Sequence, residues 1–232
     1  MSQLIPLFSH PVLTIDDYPD KDAIADEFAA RSIALMEEYP DAGLISDAWH
    51  SGKRAASRDD FERHGFTSFY NVNLGKRKDF DFINRAAMNI FAEYLRVVGK
   101  PELGMRLDNA WASVYGKGHY VPEHTHPLSH LSMAFYAAAT EGTGQIVFDN
   151  PSRGYYQHFY PPEINWMPYR YSIQPQKGMF VVFPSYLLHH TEPHESDELR
   201  IIYSANVQLQ YRKSTDADDM GESTQSDYSR ET

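Results

Sequence analysis

His124 and His126 stand one residue apart in the stretch Trp111–His130, WASVYGKGHYVPEHTHPLSH, where a glycine-containing turn precedes an apolar run. On an extended backbone alternate side chains leave from one face, so the pair has a chelating geometry for a metal ion. A third imidazole, His189, follows the apolar run Met179–Phe183 and the turn-like Pro184–Ser185. A β-barrel completes a metal site in this way, by bringing ligands from non-neighbouring segments together. Further on, Arg200 opens the apolar run LRIIYSANVQL. A guanidinium directed into a barrel is costly unless it meets an anion, and its planar fork suits a carboxylate.

The elements that must position these residues are mostly β. After Pro101 the candidate strands are Leu107–Tyr115, Leu131–Ala138, Gln145–Phe148, Tyr171–Ile173, Met179–Phe183 and Leu199–Leu209, short runs punctuated by Gly, Pro and Asn. The series predicts a jelly-roll-like barrel or sandwich. Two amphipathic helices precede it. Over Asp22–Tyr39 the apolar residues recur at helical spacing until Pro40 and Gly43. Over Asp79–Val98, Phe82, Ile83, Ala86, Ala87, Ile90, Phe91, Tyr94, Leu95 and Val98 keep to one face. Both helices are expected outside one sheet, giving a mainly β fold with flanking helices.

The apolar stretch 4–15, broken by Pro6 and Pro11, suits an edge strand or arm. Residues 44–79 read as loops with short strands. One domain is expected over 1–211, with helical support over about 20–100 and a β core over about 105–210; the polar, acidic residues 212–232 read as a disordered tail. The long segment 149–170 is rich in aromatic residues, among them Tyr155 and Trp166. It reads as a lid or substrate-facing loop, with burial of its rings for stability as the competing reading.

Composition narrows the chemistry. The 232 residues contain no cysteine, which excludes disulfides, iron–sulfur clusters and thiol catalysis and leaves imidazole and carboxylate as metal ligands. A net charge of −11 without a long basic run disfavours nucleic acid as a partner. The N-terminal residues lack a secretory pattern, and no run reaches the roughly 18 apolar residues of a membrane span, so the expectation is a cytoplasmic protein without membrane contact. Oligomeric state is left open, a homodimer included.

From about Trp111 to Gln208 the chain resembles the iron(II)- and 2-oxoglutarate-dependent oxygenases, whose fold is a double-stranded β-helix of jelly-roll or cupin-like type. The resemblance is carried by His124–Pro127, Leu131–Ser132, Phe183–Ser185, His189, Arg200 and Asn206, in that order. The segment YGKGHYVPEHTH is also similar to the corresponding prolyl 4-hydroxylase segment. The resemblance implies Fe(II) and 2-oxoglutarate as cofactors, dioxygen and a small-molecule, amino-acid or peptidyl substrate, and release of succinate and CO2 as the substrate is hydroxylated. It implies His124 and His189 as ligands and Arg200 as partner of the far carboxylate of 2-oxoglutarate, with Tyr115, Ser132 and Asn206 assisting. Trp111, His130, Tyr155 and Trp166 are the candidates for substrate contact.

The chain departs from the usual family pattern where His126 replaces an aspartate. His126 as a true ligand is the first reading. It could instead turn away and leave a coordination position open, or Asp149 could supply a carboxylate from another strand. Two other functions remain in view: a cupin-like three-histidine dioxygenase that does not use 2-oxoglutarate, and a non-catalytic protein that holds a metal or a carboxylate. Arg200 separates the first of these from the oxygenase, because a carboxylate co-substrate is what explains an arginine there.

Overall fold

The computed structural model describes residues 9–39, 65–156 and 168–211. Two antiparallel sheets form the β core. The larger contains β1 (Leu13–Ile15), β2 (Phe66–Thr67), β3 (Leu103–Tyr115), β4 (Leu131–Ala138), β7 (Phe180–Pro184) and β9 (Arg200–Tyr211), in the order β1-β7-β4-β9-β3-β2. The smaller has the order β6-β5-β8, from β5 (Ile146–Asp149), β6 (Arg170–Ile173) and β8 (His189–Thr191). Two helices, α1 (Lys21–Glu38) and α2 (Asp81–Val97), accompany the larger sheet, and a single turn, α3 (Arg153–Tyr156), follows β5. This is the mainly β class expected, with both helices close to their predicted bounds. β1 lies at a sheet edge, as expected for the stretch in which Pro11 precedes it.

Strand alternation divides the interior into two layers. On β9, Ile201, Tyr203, Ala205 and Val207 join Phe28 and Leu35 of α1 and Ile83, Ala87, Ile90 and Phe91 of α2 in one apolar cluster. Ile202, on the other face, belongs to a second cluster with Tyr115, Tyr136, Val181 and Phe183 of the large sheet and Ile146 and Phe148 of the small one. The first cluster fastens helices to sheet. The second holds the two sheets together and surrounds the site.

β2 falls in the segment 44–79, read as loops with short strands, whereas β8 was not expected as a strand. With three residues, β8 is too short to show a period. Most of the segment 44–79, the tail from 212 and the central part of the aromatic stretch lie outside the described residues, as do 1–8.

A buried polar tie crosses the helix layer. The Tyr203 hydroxyl donates to Asn84 Oδ1 at 2.8 Å, and Asn84 Nδ2 donates to the Leu74 carbonyl at 2.9 Å. Burial pushes the Tyr203 phenol well above its ordinary value, so it remains a donor. Asn84→Ala strips partners from a buried hydroxyl and a carbonyl, each worth about 1–3 kcal/mol when left unsatisfied. The expected loss in unfolding free energy by urea titration is about 2–4 kcal/mol; a loss below about 0.5 kcal/mol would show that the tie is not structural.

Candidate metal centre

The loop between β3 and β4 is laid antiparallel along β8 and its flanks. His119 accepts from the His194 amide (3.0 Å), Val121 from Thr191 (3.0 Å), and His124 and His189 exchange both backbone bonds at 2.9 and 3.0 Å. His126 donates its amide to Ser185 O at 2.9 Å. The expected strand through His124 and His126 is reduced to a single bridge, His124↔His189. Pro122 and Pro127 flank the pair and have no N–H to extend a ladder. Gly118 opens the segment at φ +84°, the left-handed conformation that its turn needs.

The pairing gathers three imidazoles. The rings of His124 and His189 are 4.2 Å apart between centroids, those of His124 and His126 5.0 Å, and those of His126 and His189 5.1 Å. One nitrogen from each ring lies within 4.8 Å of the others, the spacing of ligands around one ion. His124 Nδ1–H donates to Pro122 O at 2.9 Å and His189 Nδ1–H to Leu187 O at 2.8 Å. A carbonyl can only accept, so each Nδ1 carries the proton and each Nε2 keeps its lone pair. Burial lowers the pKa of all three rings, that of His126 to about 3 and that of His189 well below the ordinary value, so they are neutral donors at neutral pH.

His126 has a different partner. Its Nδ1 lies 3.3 Å from Asn206 Nδ2, and Asn206 Oδ1 is 2.8 Å from Ser132 Oγ, which is 2.8 Å from Ser185 Oγ. Ser132 and Asn206, expected beside the co-substrate, are thus brought to the His126 ring. Asp149 is turned away from the imidazoles. It accepts from Arg153 (3.0 Å) and Arg170 (2.9 Å) and faces His190, while its neighbour Phe148 points at the His189 ring. Alternation along β5 and β8 puts the two pairs on opposite faces.

A cavity extends from the imidazoles between the sheets, lined by Tyr115, Val121, Tyr136, Ile146, Thr191 and Ile202 at one side and Trp111, Phe69, Met133 and Phe183 at the other. Behind Tyr115 and Thr191 sits Arg200, with no exposed surface. Its guanidinium lies 4.3 Å from the Tyr115 ring centroid and donates to Thr191 Oγ1 at 3.2 Å and Gly144 O at 3.3 Å. The Gly144 carbonyl reaches it because that residue has no Cβ: one would come 2.1 Å from Glu192 O. Among the described residues no carboxylate pairs with Arg200, its Nε has no partner, and neither has the buried Tyr136 hydroxyl. A cation and a phenol left with donors to spare fit a carboxylate ligand, and three neutral nitrogens fit a ferrous ion.

Tyr136 and Thr191 were missed in the sequence. Tyr136 shares the face of β4 with Ser132, so strand parity could have found it; Thr191 follows His189 by two and obeys the same rule. Trp111 stands 5.7 Å from the His126 ring, with Phe69 edge-on to it at 4.9 Å. His130 does not line the cavity. It is exposed, its Nδ1 accepting from the Leu209 amide at 3.1 Å, because the strand that follows carries it to the rim. Trp166 and the Tyr155 side chain lie outside the described residues.

The three imidazoles have folded-state pKa values below the unfolded value of about 6.5. The unfolded chain therefore binds more protons, and stability falls as pH drops below about 6.5. Without added metal, unfolding free energy should fall between pH 6.5 and 5 by up to about 1.4 kcal/mol per pH unit for each imidazole. A midpoint that stays flat across this window would contradict burial of neutral rings.

A family model described as "Putative 2OG-Fe(II) oxygenase" matches residues 109–206. No curated protein matches the chain by sequence. Among solved structures, the viral collagen prolyl hydroxylase of Paramecium Bursaria Chlorella virus-1 is similar at 15% identity and a TM-score of 0.51, covering 84% of this chain and 94% of that one. A Pseudomonas putida prolyl-4-hydroxylase gives 13% and 0.53, with 86% and 94% covered. The non-heme alpha ketoglutarate dependent carbocyclase SnoK from nogalamycin biosynthesis gives 14% and 0.58, with 88% and 82% covered. These likenesses show the double-stranded β-helix fold, and the family match spans the three imidazoles and Arg200. Over residues 109–206 the chain is thus similar to the iron(II)- and 2-oxoglutarate-dependent oxygenases, on the fold that these neighbours share.

Proposed function

We propose that His124, His126 and His189 hold the ferrous ion, that Arg200 receives the far carboxylate of 2-oxoglutarate, and that the enzyme hydroxylates a small-molecule or peptidyl substrate. The observation that carries this reading is the buried Arg200 guanidinium. It has no counter-charge among the described residues and has an unpartnered Nε behind a cavity whose lining includes three neutral imidazoles. A protein that did not bind an anion would gain nothing from such a cation, since an unpaired buried charge is destabilising. This favours the oxygenase over a cupin-like site that binds its substrate directly.

When bound, iron with 2-oxoglutarate supplies the dioxygen-dependent oxidation that releases succinate and CO2. The chain's own part is binding and orientation. Tyr115 holds the guanidinium flat, Thr191 fixes its end, and the Tyr136 hydroxyl, kept protonated by burial, is free to donate to the same carboxylate. Ile146, Ile202 and Phe183 exclude water around the chelate. Trp111 and Phe69 form an aromatic wall beside His126, which suits a substrate that presents an apolar C–H surface. The neighbours named as prolyl hydroxylases and as a carbocyclase span peptidyl and small-molecule chemistry, so both classes stay within the proposal.

Anaerobic addition of 2-oxoglutarate to the ferrous protein should produce a weak visible charge-transfer band, and absence of the band at saturating ligand would overturn the reading. Arg200→Met should weaken 2-oxoglutarate binding about 100-fold, or about 2.8 kcal/mol, while metal affinity is kept. Equal loss of both would instead indicate collapse of the cavity. His126→Asp should retain metal binding and change the rate of succinate formation; unchanged succinate formation would argue that His126 is not a ligand.

A further inference from the structure

Two of the three imidazoles have their tautomer imposed by a group that cannot donate. His124 and His189 each face a backbone carbonyl through Nδ1, so in each the proton is on Nδ1 and the lone pair on Nε2. His126 instead faces a carboxamide, which presents an acceptor at one end and a donor at the other. The two ends have the same shape, and the same heavy-atom positions accept either orientation.

The two orientations have different chemical consequences. With Nδ2 toward the ring, Asn206 donates to His126 Nδ1, and the ring proton must sit on Nε2. That Nε2–H is 3.3 Å from His189 Nε2 and donates to it, so the lone pair His189 would offer a metal is engaged as well. With the amide turned, Oδ1 accepts from His126 Nδ1–H, and both Nε2 lone pairs are released. Asn206 Nδ2 then donates to Ser132 Oγ, and Ser132 donates to Ser185 Oγ, the reverse of the first arrangement along the same 2.8 Å contacts. Hydroxyls allow this because each can donate or accept. Every member stays partnered in both states, and all are buried: Ser185 at 0%, Ser132 at 1% and Asn206 at 4% exposure.

We propose that Asn206 is a positioning residue of the metal centre: the orientation of its amide, relayed by Ser132 and Ser185, decides which His126 nitrogen carries the proton and so whether His126 offers a lone pair to the ion. The inference rests on the reading of His126 as a ligand. It explains why a chain with a histidine in place of the usual acidic ligand places a polar network behind that residue. A carboxylate ligand has no tautomer to set; an imidazole does.

The test uses the full-length chain and metal alone. With Co(II) as probe, Asn206→Asp, an acceptor only, should bind within about threefold of the parent or more tightly. Asn206→Leu, which can neither accept nor donate, should bind about 10–100-fold more weakly and shift the Co(II) absorption bands. Parental affinity and spectrum in Asn206→Leu, or an equal loss in both variants, would overturn the proposal. Nitrogen-15 imidazole spectra of the parent chain provide an arm independent of variant folding. His126 should change from Nε2–H to Nδ1–H on addition of Zn(II), while His124 and His189 stay Nδ1–H; a His126 ring that is Nδ1–H before and after would refute it. His126→Ala separates the two levels. If that variant binds Co(II) like the parent, the ligand reading itself fails; if it weakens binding while Asn206→Leu does not, only the role of Asn206 fails.

Discussion

The pleat of the long strands is the constraint on which this protein depends. Because side chains alternate along β3, β4 and β9, each strand serves two environments at once. Ala110, Ala112 and Val114 pack on the helices, whereas Trp111 and Tyr115 face the cavity. Ser132 and Tyr136 on β4 and Arg200, Ile202 and Asn206 on β9 follow the same rule on the site side, against Phe135, Ile201 and Tyr203 on the helix side. A one-residue slip in register would place Arg200 among the apolar residues beneath α1 and remove it from Tyr115. The twelve-residue β9 paired along both edges, with β3 and β4, makes such a slip unfavourable.

The electrostatics of the interior are unusual in sign. The site combines one buried cation with three neutral bases, and the carboxylate of Asp149 is turned away to Arg153 and Arg170. A divalent ion added to this set would make the region strongly positive, which favours a dianionic chelate over a neutral one. The protein's overall charge of −11 resides elsewhere on the chain and does not describe this site. The polar network behind His126 fits the same pattern: with no carboxylate in the imidazole cluster, that ring is oriented by neutral groups.

Much of the fold was legible in the sequence for physical reasons. α2 has a continuous apolar face over 81–97, and β4 was found with its observed bounds because Leu131–Ala138 is compact and flanked by Ser-His and by Thr-Glu-Gly. β8 was not legible. Three residues carry no period, and its identity depends on bonds to β5 and to the His124 segment that are remote in sequence. Tyr136 differs from β8: parity from Ser132 gives its face, but its place near Arg200 depends on the pairing of β4 with β9. His130 shows the opposite error. It is near His126 in sequence but lies at the rim, since the chain turns between them at Leu128, whose φ is +66°.

Residue type and spacing alone determined that imidazoles and carboxylates, not thiols, were available as metal donors, that an arginine would enter an apolar strand, and that β-structure would follow two helices. Those are properties of local chemistry and period. Which nitrogens face one another, that Asp149 is excluded from the imidazole cluster, and that Ser132 and Asn206 support His126 were decided only by the tertiary structure. The reason is that each is a relation between strands, set by register and pleat across sequence separations of tens of residues, and no local pattern encodes which end of an amide faces a ring.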